Sequence, residues 1–356
     1  VQPHRWTERN EEYVMTDSTP ASPAPIQRLR RIGGVLGAIT GVVVIVLLGL
    51  MAWWDGDPEP LDPVAAATAR AAESGRQPVV GYVTTDTVVR LIEGLLDKPG
   101  GYLSNDIAPP GLWMDNVPNH EFGQLQQLRD MALSLRNDFS RSGTQSADDL
   151  DLREAQPLLA SPNDRWLLPA TEDQYRKAAV HIAAYRDRLA DPNQQDIQFY
   201  ARADNLADWL GLVDKQLGAL SQRLTAAVAS ERVDTDLGND PSATQSTPRP
   251  AVLPVRTPWS QIDDNFYEAR GQAYVLLHLL KAIEHDFAQV LEDKNATPVL
   301  NQIIRELEAT QSPLWSPVIL NGSGFGLTAN HSLAMSSYIT RANAAIAELR
   351  RQLTRG

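Results

Sequence analysis

Residues 32–54 carry no charged side chain, and this run constrains the chain more than any other feature. At ~1.5 Å per residue, a helix over it is ~34 Å long, enough to cross a hydrocarbon core of ~30 Å with some tilt. A secretory leader has a shorter apolar core, ~7–15 residues, followed closely by a small-residue cleavage site. Here the run exits through Trp53 and Trp54 into Asp55-Gly56-Asp57-Pro58, and the small-residue stretch AAATARAA begins only at Ala65. The pattern predicts an uncleaved signal anchor rather than a leader or a buried helix.

Charge sets the expected orientation. Arg28, Arg30 and Arg31 precede the span, and the first basic residue after it is Arg70. The positive-inside rule then places the N-terminus in the cytoplasm and the C-terminal part outside. Trp53 and Trp54 suit the outer interfacial belt, where a ring is half wet. Gly33, Gly37 and Gly41 recur every four residues, so they share one helix face. Small residues on one face let two membrane helices approach closely, which points to a homo-oligomer or to another inner-membrane protein as partner. Glycine is also common in such helices without any pairing role.

The remainder is acidic. Past the span the chain holds 27 basic and 40 acidic residues, against an overall net charge of −12. That argues against nucleic acid as a partner. There is no cysteine, hence no disulfide, thiolate metal site or thiol nucleophile. The 27 arginines far outnumber the five lysines, and alanine is abundant. Such usage fits a GC-rich bacterial genome, so the expected location is the bacterial inner membrane, with a periplasmic C-terminal domain. Met15 opens a short Pro/Ser-rich tail that runs into the basic flank, and is expected to be the native start, with 1–14 an upstream extension or an alternative start. The expected organisation is a cytoplasmic tail (1–31), a transmembrane helix (32–54), a tether (55–78) and a periplasmic helical domain (79–356).

Within that domain the apolar residues recur at helical spacing. One helix is expected to start at a Thr85-Asp86 cap, with Val88, Val89, Leu91, Ile92, Leu95 and Leu96 inward, and to end at KPGG. Others are expected over about 121–141, from a Thr171-Glu172-Asp173-Gln174 capping box, over 195–230, from Thr257-Pro258 with Pro at the first helical position, from Thr297-Pro298, and over 333–353. Residues 231–256 are Pro-rich and weakly apolar, expected as a flexible linker. No sustained alternation of β-branched residues occurs, so the fold class is all-α: a transmembrane helix followed by a multi-helix bundle. FYARADNLADWLGLVDKQLGALSQRL (199–224) aligns without gaps to FYEARGQAYVLLHLLKAIEHDFAQVL (266–291). The likeness fits either an internal duplication or the default resemblance of amphipathic helices.

The sequence offers no catalytic or metal motif. His278 and His285 lie two turns apart, ~10 Å, too far to share one metal. There is no Glu-x-x-His pair and no His-Glu-x-x-His. NGSGFG (321–326) lacks the nucleophile-elbow spacing and the lysine of a phosphate loop, and Asp263, Asp264 and Glu268 suit the positive end of their helix. No catalytic residue, metal or cofactor is therefore assigned. The polar groups that stand out are Arg202, Tyr267, Glu268, Arg270 and His278, on the two similar helices. If those helices pack together, an arginine can face a carboxylate between them. Tyr102, Trp113 and Trp315 sit in long loops; they form either a partner surface or lids folded onto the bundle.

The anchor, GYVTTDTVVRLIEGLLDKPGGYLSNDIAPPGLWMDNVPN, FYARADNLADWLGLVDKQLG and FYEARGQAYVLLHLLKAIEHDF together resemble a proteobacterial single-pass inner-membrane family catalogued as a domain of unknown function, number 2333. The resemblance implies the same topology from the anchor to the C-terminus and transfers no functional residue. The expected role is a non-enzymatic envelope scaffold or binding module. The alternative is a periplasmic enzyme or cell-wall-processing factor with its site in the long loops.

Overall fold

The computed structural model describes residues 25–143, 145–194, 197–228, 230–233, 252–314, 316, 318–322 and 329–355. Residues 1–24 of the expected N-terminal tail, with Met15, lie outside them, as do Trp315 and most of NGSGFG. The chain divides into two units, Val1–Gly49 and Leu50–Gly356.

The first unit holds most of α1 (Pro25–Trp54), a single helix. Within it Gly33–Trp54 is long and apolar enough to cross a membrane by length and composition. Val35, Leu36, Ile39, Val42 and Ile45 are exposed, and the positions where Gly33, Gly37 and Gly41 would carry a Cβ have nothing within 4 Å.

The second unit is an all-α bundle. Its helices are α2 (Pro63–Glu73), α3 (Tyr82–Asp97), α4 (Asn116–Ser134), α5 (Leu150–Leu159), α6 (Thr171–Leu189), α7 (Ala203–Thr225), α8 (Ile262–Asp286), α9 (Ala288–Asp293), α10 (Thr297–Thr310) and α11 (His331–Thr354). A π-helical turn, Leu135–Phe139, extends α4. The two ends of the expected linker pair as a short antiparallel ribbon, β1 (Ser230–Val233) with β2 (Val252–Val255); residues 234–251 lie outside the described residues.

The central element is α8. Its run AYVLLHLL is apolar almost all round, and Ala269, Ala273, Val275, Leu276, Leu279, Leu280 and Ile283 are all buried. A helix apolar on every face is buried on every face. Packed around it are α4, above all, then α3 and α10. The two similar helices do not chiefly pack on each other, since α7 lies mainly on α11.

Crossing of α4 and α8 depends on two reciprocal glycines. A Cβ on Gly271 would lie 2.0 Å from the carbonyl oxygen of His120, and one on Gly123 would lie 2.1 Å from that of Glu268. Each glycine is the notch for the other backbone, leaving no room for a side chain at the crossing.

Three expected helix starts are displaced, among them Thr257-Pro258, since α8 begins only at Ile262, after a single 3-10 turn at Trp259–Gln261. Gly81, not Thr85, precedes α3, and Asp86 is a buried residue of its interior. Its Oδ1 accepts from Arg186 at 2.6 Å and faces Arg70 at 3.3 Å, while Oδ2 accepts from Arg90 at 2.7 Å. A buried carboxylate needs such partners, and this one staples α2, α3 and α6 together. The N-terminus of α3 is served instead by Asp286, at the end of α8, which accepts from the Thr84 amide at 2.7 Å. The capping box at Thr171 does not form either. Thr171 lies inside α6, and its hydroxyl holds the preceding turn by accepting from the Arg165 amide and donating to the Pro162 carbonyl. One helix went unrecognised in the sequence, α5, whose start is capped by Asp149.

Candidate functional site

The chain leaving α1 does not hang free as a tether. Residues 55–61 lie along α8 as a strap. Asp57 Oδ2 accepts from Arg270 Nη2 at 2.9 Å, the carbonyl of Glu59 accepts from the Tyr274 hydroxyl at 2.9 Å, and the Leu61 amide donates to His278 Nε2 at 3.0 Å. The spacing explains the match. Four residues of helix advance ~6.0 Å, and two residues of extended chain advance ~6.6 Å. Alternate strap residues 57, 59 and 61 therefore meet α8 residues 270, 274 and 278 in register.

Each contact is set by its surroundings. Arg270 is only 2 % exposed and also donates to the carbonyls of Gln311 and Ser312, joining the strap to the end of α10. Because Nε2 of His278 accepts from Leu61, the proton resides on Nδ1, which donates to the Tyr274 carbonyl at 2.7 Å. Burial pushes the His278 pKa down, in keeping with a neutral ring.

Strap, α3, α4 and α8 enclose a cleft of about 540 Å³ at the C-terminal end of α1. Trp53, Trp54, Tyr267 and Tyr274 supply its aromatic wall. Trp54 reaches the loop after α3: a Cβ on Gly100 would lie 2.6 Å from the indole, and Gly100 has φ +87°, a conformation suited to glycine. That loop is fastened to α4 by Glu121, a fully buried carboxylate accepting from the amides of Leu103 and Ser104 at 2.8 Å and from Lys98.

His120 lies at the back of the cleft, 9 % exposed. Its Nδ1 is 2.9 Å from the Gln124 side-chain nitrogen, which can only donate. The ring proton therefore sits on Nε2, and that atom has no hydrogen-bond partner among the described residues. Burial first, then the charges of Arg270 and Lys98, push the His120 pKa down to about 3, so the ring is a neutral donor.

The charges around the cleft are unequal in their engagement. Arg90 is bonded to Asp86 and to the Ala66 carbonyl, Lys98 to Glu121, and Glu93 to Arg70. Among the described residues Asp55 and Glu59 have no ion-pair partner. Partial desolvation, then repulsion from Asp57 and Asp115, push the Asp55 pKa up.

Residues 28–356 match the sequence profile of a bacterial family, DUF2333, described as an uncharacterized protein conserved in bacteria. The chain belongs to this family. Nothing among curated proteins and nothing among solved structures matches it. Family membership brings no assigned residue, so the geometry must speak for the site.

Of the polar residues singled out in the sequence, the structure gathers Tyr267, Arg270 and His278 on the strap side of α8. Glu268 points the other way, to a bidentate pair with Arg223 at 2.6 Å. Arg202 is exposed at the start of α7 and pairs with Asp204. Arg270 does face a carboxylate, but the partner is Asp57 of the strap, not a residue of α7. Tyr102 is a lid: its ring is buried edge-on to Tyr175, and its hydroxyl donates to the Asn163 carbonyl. Trp113 is exposed. Arg28, Arg30 and Arg31 occupy the first turns of α1. Among the described residues no group of three His, Asp or Glu is placed to hold a metal ion.

His120 and the strap were missed by sequence reading. A signal existed for the strap: Arg270, Tyr274 and His278 are polar groups at i, i+4 and i+8 in an otherwise apolar helix, opposite Asp57-Pro58-Glu59-Pro60-Leu61. None existed for His120, whose role depends on the α4–α8 crossing.

Proposed function

We propose that this chain is a membrane-anchored binding module of the bacterial envelope, spanning the inner membrane once, with the helical bundle in the periplasm. The observation that carries the reading is the strap. Three hydrogen-bonded contacts between 57–61 and α8 build the exit of the apolar helix into the bundle and leave a concave, aromatic-lined cleft there. A cleft of this size, mostly apolar with a few fixed polar groups, has the character of a binding site. Apart from His120, the buried titratable groups named around it are committed to structural partners: Asp86 to three arginines, Glu121 to the loop after α3, and His278 to the strap. Association of the spans through Gly33, Gly37 and Gly41 belongs to the same reading.

The absence of cysteine makes the topology directly testable. A single cysteine in place of exposed Gln194 is expected to react with a membrane-impermeant maleimide in cells whose outer membrane alone has been permeabilised. Labelling that requires lysis of the inner membrane refutes the periplasmic assignment.

A further inference from the structure

We propose that the cleft beside Trp54 takes a neutral or cationic amphiphile: an apolar body against the aromatic wall, and a carbonyl-type acceptor that receives the His120 Nε2–H. The proposal rests on the binding-module reading and names its ligand class.

Three observations carry it. The first is the unpartnered donor. His120 lines the cleft and is more than nine-tenths buried, its Nδ1 is taken by Gln124, and its Nε2–H has no partner among the described residues. A buried donor left unsatisfied costs ~1–3 kcal/mol, and an acceptor on a ligand removes that cost. A neutral imidazole with its proton on Nε2 can only donate there, so the ligand must accept.

The second is the wall. Trp53, Trp54, Tyr267 and Tyr274 present rings rather than aliphatic chains. Ring faces attract cations as well as apolar groups. Third is the charge at the mouth. Both basic residues lining the cleft, Arg90 and Lys98, are engaged, whereas the carboxylates of Asp55 and Glu59 are not. An anion would meet repulsion that no free cation offsets, and a cationic head would find two carboxylates beside aromatic faces.

Two sources could supply such a molecule: the bilayer, since the cleft is lined by the last residues of the apolar helix itself, or the surrounding solution. The shared chemistry is the proposal, and the test separates the sources.

The test uses the full chain held in a non-ionic amphipol, free of zwitterionic lipid, and three soluble probes that share one hexanoyl group: hexanoylcholine (cationic), N-methylhexanamide (neutral) and N-hexanoylglycine (anionic). Ligand-observed NMR gives their affinities. The choline ester and the amide are expected to bind at least tenfold more tightly than the acylglycine. Gly94 faces the cleft with nothing within 4 Å of a Cβ, so Gly94→Trp fills it without disturbing the core and is expected to abolish binding. His120→Phe is expected to weaken both favoured probes about tenfold, the loss of one hydrogen bond. The doubly substituted Asp55→Lys/Glu59→Lys chain, altered only at the surface, is expected to reverse the order in favour of the acylglycine. Equal binding of all three probes, or binding unchanged by Gly94→Trp, overturns the proposal. Lipid analysis of wild-type and Gly94→Trp protein purified from membranes then assigns the source. A species retained only by the wild type identifies the bilayer; identical lipid content, with the soluble probes still binding, identifies a soluble ligand. The topology test by cysteine labelling is independent, so either result can fail without the other.

Discussion

Gly271→Ala separates this fold from helix propensity most sharply. In an exposed helix interior, alanine in place of glycine stabilises by ~1 kcal/mol. At residue 271 the added Cβ would stand 2.0 Å from the His120 oxygen, 2.9 Å from its carbonyl carbon and 3.1 Å from the Gln124 nitrogen, all backbone atoms. A carbon–oxygen contact of ~3.4 Å demands that α4 and α8 part by more than ~1 Å, and a gap of that size forfeits a quarter to a half of each dispersion contact across it. Leu125, Leu128, Ala269 and Val275 are fully buried on these helices, so the expected cost is ~3 kcal/mol or more, at the upper end for overpacking. Gly123→Ala meets the Glu268 oxygen at 2.1 Å and should cost a similar amount. The double variant should cost less than the sum, because one separation accommodates both methyl groups. Gly94→Ala, on α3 with open space around it, is the control and should gain up to ~1 kcal/mol. Urea unfolding of the full chain, followed by circular dichroism, measures all four variants. A Gly271→Ala protein as stable as wild type refutes the close crossing, and with it the placement of His120.

Other consequences follow from the strap and the cleft. Arg270→Met leaves Asp57 and the Gln311 and Ser312 carbonyls without their donor. It should cost ~2–4 kcal/mol, and limited proteolysis should then cut within 55–61 where the wild type resists. Acid should destabilise through His120: a pKa depressed from 6.5 to about 3 means the folded state resists protonation. Its contribution is intact above pH 6.5 and is lost as the pH falls toward 3, by ~1.4 kcal/mol per unit. Burial lowers His278 and acts in the same sense. Buried Asp286, whose pKa is raised chiefly by desolvation, acts in the opposite one. The slope that His120→Phe removes between pH 6.5 and 5 thus isolates His120, and an unchanged slope refutes its burial as a neutral ring. In the span, large residues such as Ile at Gly33, Gly37 and Gly41 should dissociate membrane oligomers without reducing insertion; oligomers that persist on crosslinking reject that face as a contact.

Much of this architecture was legible because it is periodic. Apolar residues of α3, α4, α7 and α8 recur at helical spacing, and residues 32–54 of α1 are marked by their length without charge. What stayed hidden is non-local. Asp86 reads as a cap residue because Asp is common there, yet the arginines that make it an interior group lie on α2, α3 and α6. Gly271 looks like an ordinary helix defect until α4 is laid across it. Asp57 to Leu61 has the composition of a tether, and only the three polar groups on one face of α8 make it a strap. The Phe-Tyr similarity drew attention to α7 as the partner of α8, whereas the backbone notch at Gly123 selects α4.

The central claim is that the chain emerging from the apolar helix is part of the bundle and walls its cleft. Residue-resolved hydrogen exchange of the Leu61 amide tests it most directly, since that amide donates to His278 Nε2 at 3.0 Å. In the full chain at pH 7.5 the account predicts strong protection at Leu61, lost in His278→Phe while the α8 core stays protected. Exchange of Leu61 at the free-chain rate in the wild type would contradict it.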